Sequence, residues 1–329
     1  MNLEFQSISK SEQIISSVME SIRSGKYSSG QVIPSINSTA QKFGVARKTV
    51  VRAYEKLKIQ GLIESKPKTG YFVVNNKPST KLKVLLIVHS FDGHWEVLYN
   101  NFRERVNGFC EIEIFFHHYN IKIMELIVNR NVSDYDLFII SSFDHPRIKN
   151  VVARIPAYKV LLISRKDRLD DSYNYVIQDF CEGTYSALCE ANSKIKLYKK
   201  FNLSYPEKGG HSATLKTGFL KYCKEFSVEN SIVDSLKDLK IKKGEAYMII
   251  SENDLIHLLN VCKSNNWKLG EDVGVLSYNE TPLKEVIRDG ISVVSCNFEM
   301  MADAMSRFIK EQKSEKTILP IQYIERNSL

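Results

Sequence analysis

Arg47, Lys48, Thr49 and Arg52 stand together at the opening of "ARKTVVRAYEKLKI", and Lys66 and Lys68 frame the turn of "SKPKTGY" beyond it. A guanidinium can hold two oxygens at once, an ammonium supplies a point charge, and a threonine hydroxyl or the backbone of Gly70 can donate to a phosphate. The chemistry available to such a set is contact with a polyanion. At about 100° per residue, Val50, Ala53, Tyr54 and Leu57 fall on one stripe, Lys48 and Arg52 lie opposite it, and Arg47 and Thr49 flank the first turn. A helix of this kind can be pinned by its apolar stripe and still offer its cations outward. The same charges also admit a plainer reading, in which Arg52 pairs with Glu55 and Lys56 with Glu64 as ordinary surface ion pairs.

Several short elements must position these groups. Residues 11–24 repeat Ile14, Ile15, Val18 and Ile22 at helical spacing before Gly25, with Ser9 and Glu12 suited to a capping box. "INSTAQKFG" is a second short helix ending at Gly44, and the cation-bearing helix begins near Ala46. "GLIES" and "GYFVV" are short strands joined by "KPKT", so the basic turn is a hairpin tip. Helices at a turn followed by a basic β-hairpin make a winged helix-turn-helix, whose third helix fits the major groove of DNA.

"VIPSINSTAQKFGVARKTVVRAYEKLKIQGLIESKPKTGYFV" resembles the N-terminal domain of GntR-type transcription regulators: Pro-Ser after a loop, Gly-Val before the recognition helix, Arg-x-Thr-Val in its first turn, Gly-Leu-Ile after it and Gly-x-Phe-Val closing the wing. The resemblance implies that Arg47, Lys48 and Thr49 are first-turn DNA contacts, Arg52 a second-turn contact, and Lys68, Thr69 and Gly70 wing contacts, with Lys66 beside them on the basic hairpin. Asn37, Ala46 and Val51 depart from the pattern, standing where relatives usually have Arg, Ser and Arg. Ala46 removes a helix N-cap that typically contributes about 1 kcal/mol.

Charge is unevenly spread. Residues 1–76 hold eleven Lys and Arg against five Glu and no Asp, a net of +6, which leaves +2 for the rest of a chain of 329 residues and net +8. A basic head on a near-neutral body suits a polyanionic partner, a solvated lysine-rich surface being the alternative. Cysteines 110, 181, 189, 223, 262 and 296 form no C-x-x-C pair or zinc spacing, which suits reduced, buried thiols. No secretory h-region opens the sequence and no run approaches the roughly 18–20 apolar residues of a membrane span, so a cytoplasmic protein without membrane contact is expected.

The polar, Pro-containing "VNNKPSTKLK" separates two periodic regions, giving a DNA-binding domain at 1–76, a linker at 77–82 and a body at 83–329. In the body, apolar strands at 83–88, 111–116, 135–141 and 158–164 alternate with helices near 95–107, 121–130 and 146–154. After a helix near 181–190 the series resumes with "KIKLYKKF" as a strand, a helix at 211–225, strands at 246–251, 273–278 and 291–295, and a helix at 254–265. Such alternation implies parallel sheets covered on both faces, and the number of strands favours two lobes. The fold class expected is α/β, a winged helix-turn-helix followed by a two-lobed domain with parallel sheets.

"MIISENDLIHLLNVCKSNNWKLGEDVGVLSYNETPLKEVIRDGISVVS" resembles the C-terminal half of LacI-type regulators and type I periplasmic sugar-binding proteins, and "LLISRK" with "VIQDFCEGTYSAL" matches them more loosely. The architecture is similar to that of arabinose-type repressors. The resemblance implies a small polyol between the lobes, held by residues at the carboxyl ends of strands: Phe91, Asp92, His94 and Trp95, then Ser142 and Asp144, then Arg165, Asn253, Asn279 and Cys296. Trp95 could equally pack between lobes, and His94 could lie on the surface. Asn279, Leu215 and Ser164 replace residues common in these relatives. His117 and His118 lack a third ligand at metal spacing and are expected as strand-end residues.

The function expected is that of a sequence-specific regulator, most simply a repressor, binding a double-stranded operator as a homodimer under control of a monosaccharide or related polyol. No enzyme and no cofactor are expected. The alternative, a DNA-binding head fused to an enzymatic or non-sugar-binding domain, is opposed by the body's length, too short for an aminotransferase-like module, and by the lack of G-x-S-x-G, H-E-x-x-H or a P-loop.

Overall fold

In the head, the apolar spacing closes three helices around one small core. The computed structural model describes residues 10–23, 25–59, 61–66, 69–74, 81–91, 93–207 and 210–329. Helix α1 (Lys10–Arg23) buries Ile14, Val18 and Ile22 against α2 (Ile36–Phe43) and α3 (Arg47–Ile59). Ser35 caps α2 by accepting from the Ser38 N–H at 3.2 Å. Gly44, at φ 60°, supplies the left-handed turn that ends it, where a side chain would be strained. Strands β1 (Ile63–Lys66) and β2 (Gly70–Val73) pair antiparallel as the expected wing, Ile63 opposite Val73 and Lys66 opposite Gly70. The expected Ser9 cap lies outside the described residues.

The chain divides into two compact units, Met1–Leu82 and Lys83–Leu329. Most of the expected linker lies outside the described residues, and Leu82 already opens the next strand.

The body is two lobes, each built on a six-stranded sheet. The first contains β3 (Leu82–Val88), α4 (Gly93–Arg105), β4 (Cys110–Phe116), α5 (Ile121–Asn131), β5 (Leu137–Ile140), α6 (Ile148–Val152), β6 (Val160–Ser164) and β7 (Asn174–Gln178). The second contains α7 (Phe180–Glu190), α8 (Asn192–Ile195), β8 (Lys200–Ser204), α9 (Ala213–Glu225), β9 (Asn230–Val233), β10 (Glu245–Ile249), α10 (Glu252–Ser264), β11 (Gly274–Tyr278), α11 (Pro282–Val286) and β12 (Ser292–Cys296). The chain then returns: α12 (Phe298–Glu311) packs on α4, β13 (Lys316–Leu319) joins the first sheet beside β7, and β14 (Ile321–Ile324) joins the second beside β12. The sheet orders are β13-β7-β6-β5-β3-β4 and β14-β12-β11-β10-β8-β9. Pairing is parallel through β13, β7, β6, β5 and β3 and through β9, β8, β10, β11 and β12, while β14 is antiparallel. Runs such as "VLLIV" and "LFII" are buried throughout because helices cover both faces.

One expected strand is corrected. Within "KIKLYKKF" the alternation of lysine with apolar residues imitates a strand, yet before Lys200 the buried residues are Ile195 and Tyr198, three apart, while Leu197 is 74% exposed. That is helical spacing, and α8 with its following turn occupies this stretch; β8 begins only at Lys200. Strands β7, β9, β13 and β14 and helix α12 were not anticipated. In β7 the apolar run is only Val176–Ile177 between polar Asn174 and Gln178, whose burial depends on partners far along the chain: Asn174 donates to the Val160 carbonyl at 3.2 Å and accepts from the Glu315 N–H at 3.1 Å.

Candidate DNA-binding face and interlobe cavity

In the head, Val50, Ala53, Tyr54 and Leu57 are buried, as the stripe requires, so α3 presents its other side outward. Tyr54 fixes the helix by hydrogen bonds as well as packing: its hydroxyl donates to the Pro34 carbonyl at 2.6 Å and shares a bond of 2.8 Å with the buried Thr39 hydroxyl. Burial pushes its pKa up, keeping it protonated as that donor. Arg47, Lys48 and Arg52 are exposed, and Thr49 is half-buried with its N–H bonded to the Ala46 carbonyl at 2.9 Å. The alternative pairing of Arg52 with Glu55 meets a competitor, since Glu55 lies 3.5 Å from Lys58. On the wing, Lys66 sits 4.4 Å over the Phe72 ring, a cation–π contact that holds the charge beside the hairpin. Thr69 and Gly70 are exposed, Gly70 at φ 102°; Lys68 lies outside the described residues.

In the body, the carboxyl ends of β3, β5, β6 and β7 meet those of β8 and β11 across a cavity of about 220 Å³. This is where open parallel sheets hold ligands. Of the candidate ligand residues, His94 and Trp95 line it from α4, Ser142 from beyond the end of β5, Arg165 from the end of β6 and Asn279 from the end of β11. Trp95 is buried and donates to His89 Nε2 at 3.2 Å, so the wall both packs and orients a neighbouring imidazole.

Arg165 is the most constrained of these side chains. Its Nε and Nη2 face Asp167, the Nε bond being 2.5 Å, and Nη1 donates to the Gly210 carbonyl of the other lobe at 2.8 Å. Asp167 is in turn held by the Ser142 hydroxyl at 2.6 Å. Gly210, at φ 67°, lies so close to Tyr119 that a Cβ there would stand 2.1 Å from the ring. One guanidinium and one glycine therefore bring the two lobes together at the cavity's edge. Ser164, at φ 65°, and Asn279, at φ 61°, hold left-handed backbone in its wall, a strain that persists where surrounding structure enforces it.

The wall is rich in imidazole. His89 stacks on Tyr119 with ring centroids 4.6 Å apart, and burial, then nearby His94, His117, His211 and Arg165, push its pKa down to about 3. His94 tilts against Phe298 and is pushed down to about 3 by burial, then by Lys284 and His211. His117, behind them and fully buried, accepts from the Tyr119 N–H at 3.0 Å through Nδ1 and so donates through Nε2 to the Ser141 carbonyl, also 3.0 Å. Burial outweighs that carbonyl and pushes its pKa down to about 4. Two buried polar atoms in the wall have no hydrogen-bond partner: Gln178 Oε1 from the first lobe and Tyr278 OH from the second. Buried polar groups are rarely left unpaired, so both suit a ligand.

Four expected ligand residues stand elsewhere. Asn253 is exposed on α10, because the inward position of that turn belongs to its buried neighbour Asp254, bonded to Ser204 and, at 2.8 Å, to Ser235. Cys296 is buried beneath the wall, its thiol pushed up to about 12 by burial. Asp144 points to an adjoining outer hollow, paired with Arg168 at 2.6 Å. Phe91 is 43% exposed and packs edge-on to Tyr99. Asp92 lies outside the described residues. Sequence reasoning missed His89, Tyr119, Gln178, His211 and Tyr278. "HS" directly after "LLIV" was the available signal for His89, since it is the strand-end position itself. Among the described residues no group of His, Cys, Asp or Glu could hold a metal ion, and no helix is long and apolar enough to cross a membrane.

Residues 10–73 match the model of the family described as bacterial regulatory proteins, gntR family. They are similar to an uncharacterized HTH-type transcriptional regulator of Escherichia coli, YjiR, with 41% identity over 58 residues, 18% of this chain. The match spans only 12% of that relative's length. The body is similar in fold to the dimeric Lac repressor, with a TM-score of 0.62 at 12% identity over 75% of this chain and 98% of the repressor. It is also similar to a LacI family regulator from Lactobacillus casei with bound glucose, with a TM-score of 0.61 at 14% identity over 75% and 99%. The chain thus joins a GntR-type helix-turn-helix head to a body with the fold of LacI-type effector domains.

Proposed function

We propose that the protein is a DNA-binding transcription regulator, acting as a repressor inside the cell, whose operator affinity is set by a small sugar or related polyol bound between the lobes of the body. The observation that carries this reading is the pairing, in one chain, of exposed cations on a GntR-type recognition helix with a cavity between two lobes whose wall leaves Gln178 Oε1 and Tyr278 OH unpartnered. Arg47, Lys48, Thr49 and Arg52 enter the major groove, and Lys66, Lys68, Thr69 and Gly70 follow the backbone beside it. In the cavity, Trp95 and Tyr119 offer aromatic surface to the C–H groups of a sugar, and Arg165 and Asn279 offer donors to its oxygens, the Ser142 hydroxyl being spent on Asp167. The glucose-bound regulator of the same fold supports a sugar as ligand.

One winged head touches too few phosphates for tight specific binding, so the body dimerises and two heads meet symmetric half-sites, raising affinity through effective concentration. Sedimentation at micromolar protein tests this: a dimer is expected, and a strict monomer with and without operator contradicts it.

The ligand biases the lobes toward one arrangement, and the DNA affinity changes by no more than its differential affinity for the two arrangements, typically about 1–3 kcal/mol. By linkage, operator must weaken the ligand by the same factor. The experiment is a thermal-shift panel of monosaccharides and their phosphates, followed by calorimetry of each stabilising compound with and without operator. A compound whose affinity drops when operator is bound is the expected outcome. A panel in which no compound responds to operator contradicts effector control.

A further inference from the structure

We infer that the polyol held between the lobes carries an anionic group, a phosphate ester or a carboxylate, received by Arg165 and the imidazoles of His89, His94 and His211. This rests on the reading of the cavity as the effector site and goes beyond it by fixing the sign of the ligand's charge.

The argument begins with what stands in the wall. One guanidinium and three imidazoles line it, and among the described residues no carboxylate does. The carboxylate nearest in connectivity, Asp167, is already spent: one oxygen faces Arg165, the other accepts the Ser142 hydroxyl, and it lines the adjoining hollow instead. Arg165 itself is not saturated. Of its five N–H groups, two face Asp167 and one reaches Gly210, which leaves one on each terminal nitrogen, the pair that grips two oxygens of a single anion.

The imidazoles fit the same conclusion. Burial together with Lys284, Arg165 and their neighbouring histidines keeps His89 and His94 neutral in the unliganded wall. Neutral as it is, an imidazole still carries one N–H, on Nδ1 in His89 because its Nε2 accepts from Trp95, and that N–H can donate to an anionic oxygen. Gln178 Oε1 and Tyr278 OH, unpartnered and more than nine-tenths buried, are the groups left for the polyol's hydroxyls. A single ligand that satisfies both sets has an anionic end and a hydroxylated end.

The test uses inorganic sulfate, whose charge is constant near neutral pH, as the probe for the anionic end. The chain has two tryptophans, so a Trp267→Phe background leaves Trp95, in the cavity wall, as the reporting indole. Sulfate is titrated against chloride at equal ionic strength, with glucose, glucose 6-phosphate and glucuronate as further arms. The expected result is a saturable fluorescence response to sulfate that chloride does not give, weakened at least tenfold in Asn279→Asp and in Arg165→Gln. Asn279→Asp places a carboxylate in the wall with almost no change of shape, at a left-handed position that Asp tolerates, so a loss of binding at an unchanged melting temperature is not unfolding. Displacement of sulfate by glucose 6-phosphate alone identifies the phosphate ester, and by glucuronate alone the carboxylate.

No saturable sulfate response, or one that Asn279→Asp leaves unchanged, overturns the inference. Glucose binding without sulfate binding overturns it while sparing the cavity as an effector site. If neither sulfate nor any sugar of the panel binds, the effector site itself is lost as well.

Discussion

The head and the body's cavity handle cations in opposite ways. On α3, Arg47, Lys48 and Arg52 are exposed, and what is buried is the scaffold beneath them: Val50, Ala53, Leu57 and Tyr54 with its two hydrogen bonds. Around the cavity the cation-capable groups are themselves enclosed, Arg165 tied to Asp167 and the imidazoles held neutral. An exposed cation keeps its hydration and is free to exchange it for a phosphate at many positions along a duplex. An enclosed one has already lost its water and is oriented by neighbours, so it discriminates among small ligands by shape and charge. The difference suits the head to affinity for a polymer and, on the proposed reading, the cavity to selectivity for one molecule.

The largest expected effect removes the scaffold rather than a cation. Tyr54→Ala takes a fully buried ring and two hydrogen bonds from the head and is expected to cost about 3–5 kcal/mol of its stability. Thermal unfolding followed by calorimetry should lose a head transition and keep that of the body; an unchanged profile would mean α3 is not pinned as described.

Next is acid, which acts on the enclosed imidazoles and not on exposed arginines. His117 has its pKa pushed from 6.5 down to about 4, so the unfolded chain binds the proton more readily than the folded one. Stability from this residue is whole above about pH 6.5 and is lost as pH falls toward 4, by up to about 3 kcal/mol. Urea melts of the body at pH 7, 5.5 and 4.5 should show this decline, and His117→Gln should make it shallower, the share of His89 and His94 remaining. A body equally stable at all three pH values would contradict the burial argument.

Smaller effects separate the cations of α3. Arg47→Ala is expected to cost about 1–3 kcal/mol on the preferred duplex and less on others if it reads a guanine edge. Lys68→Ala should weaken all duplexes alike and reduce the slope of log affinity against log salt by about 1. Equal losses from both, on every sequence, would assign Arg47 to the backbone. The smallest is a gain: Ala46→Ser restores a cap before Arg47 and should add about 1 kcal/mol to the head, read as a rise in its melting temperature.

The head was legible because its determinants are local. The stripe of α3, the glycine closing α2 and the paired strands of the wing each lie within a few residues, and periodicity reads them directly. The parallel sheets were legible from buried runs such as "VLLIV". What escaped were elements whose burial is decided elsewhere: β7 with its polar ends, β13 and β14, which join different sheets after the chain returns, and α8, where lysines imitate strand alternation. The cavity was legible at Trp95, Arg165 and Asn279, which follow strand ends that could be recognised. His211 and Gln178 were not, since the first follows a stretch without periodicity and the second closes a strand that was not recognised. Asn253 and Asp254 mark the limit of such reading, because a shift of one residue on a helix turns a side chain from wall to solvent.

The central claim is most directly tested by selecting duplexes from a random library with the full chain, then titrating the winner and a scrambled duplex of equal length across salt concentrations. The account predicts that the winner is bound at least a hundredfold more tightly at physiological salt, as specific sites generally are, with the gap persisting as salt rises. Equal affinity for both at every salt concentration would leave only nonspecific attraction between a basic head and a polyanion, and the regulator reading would be contradicted.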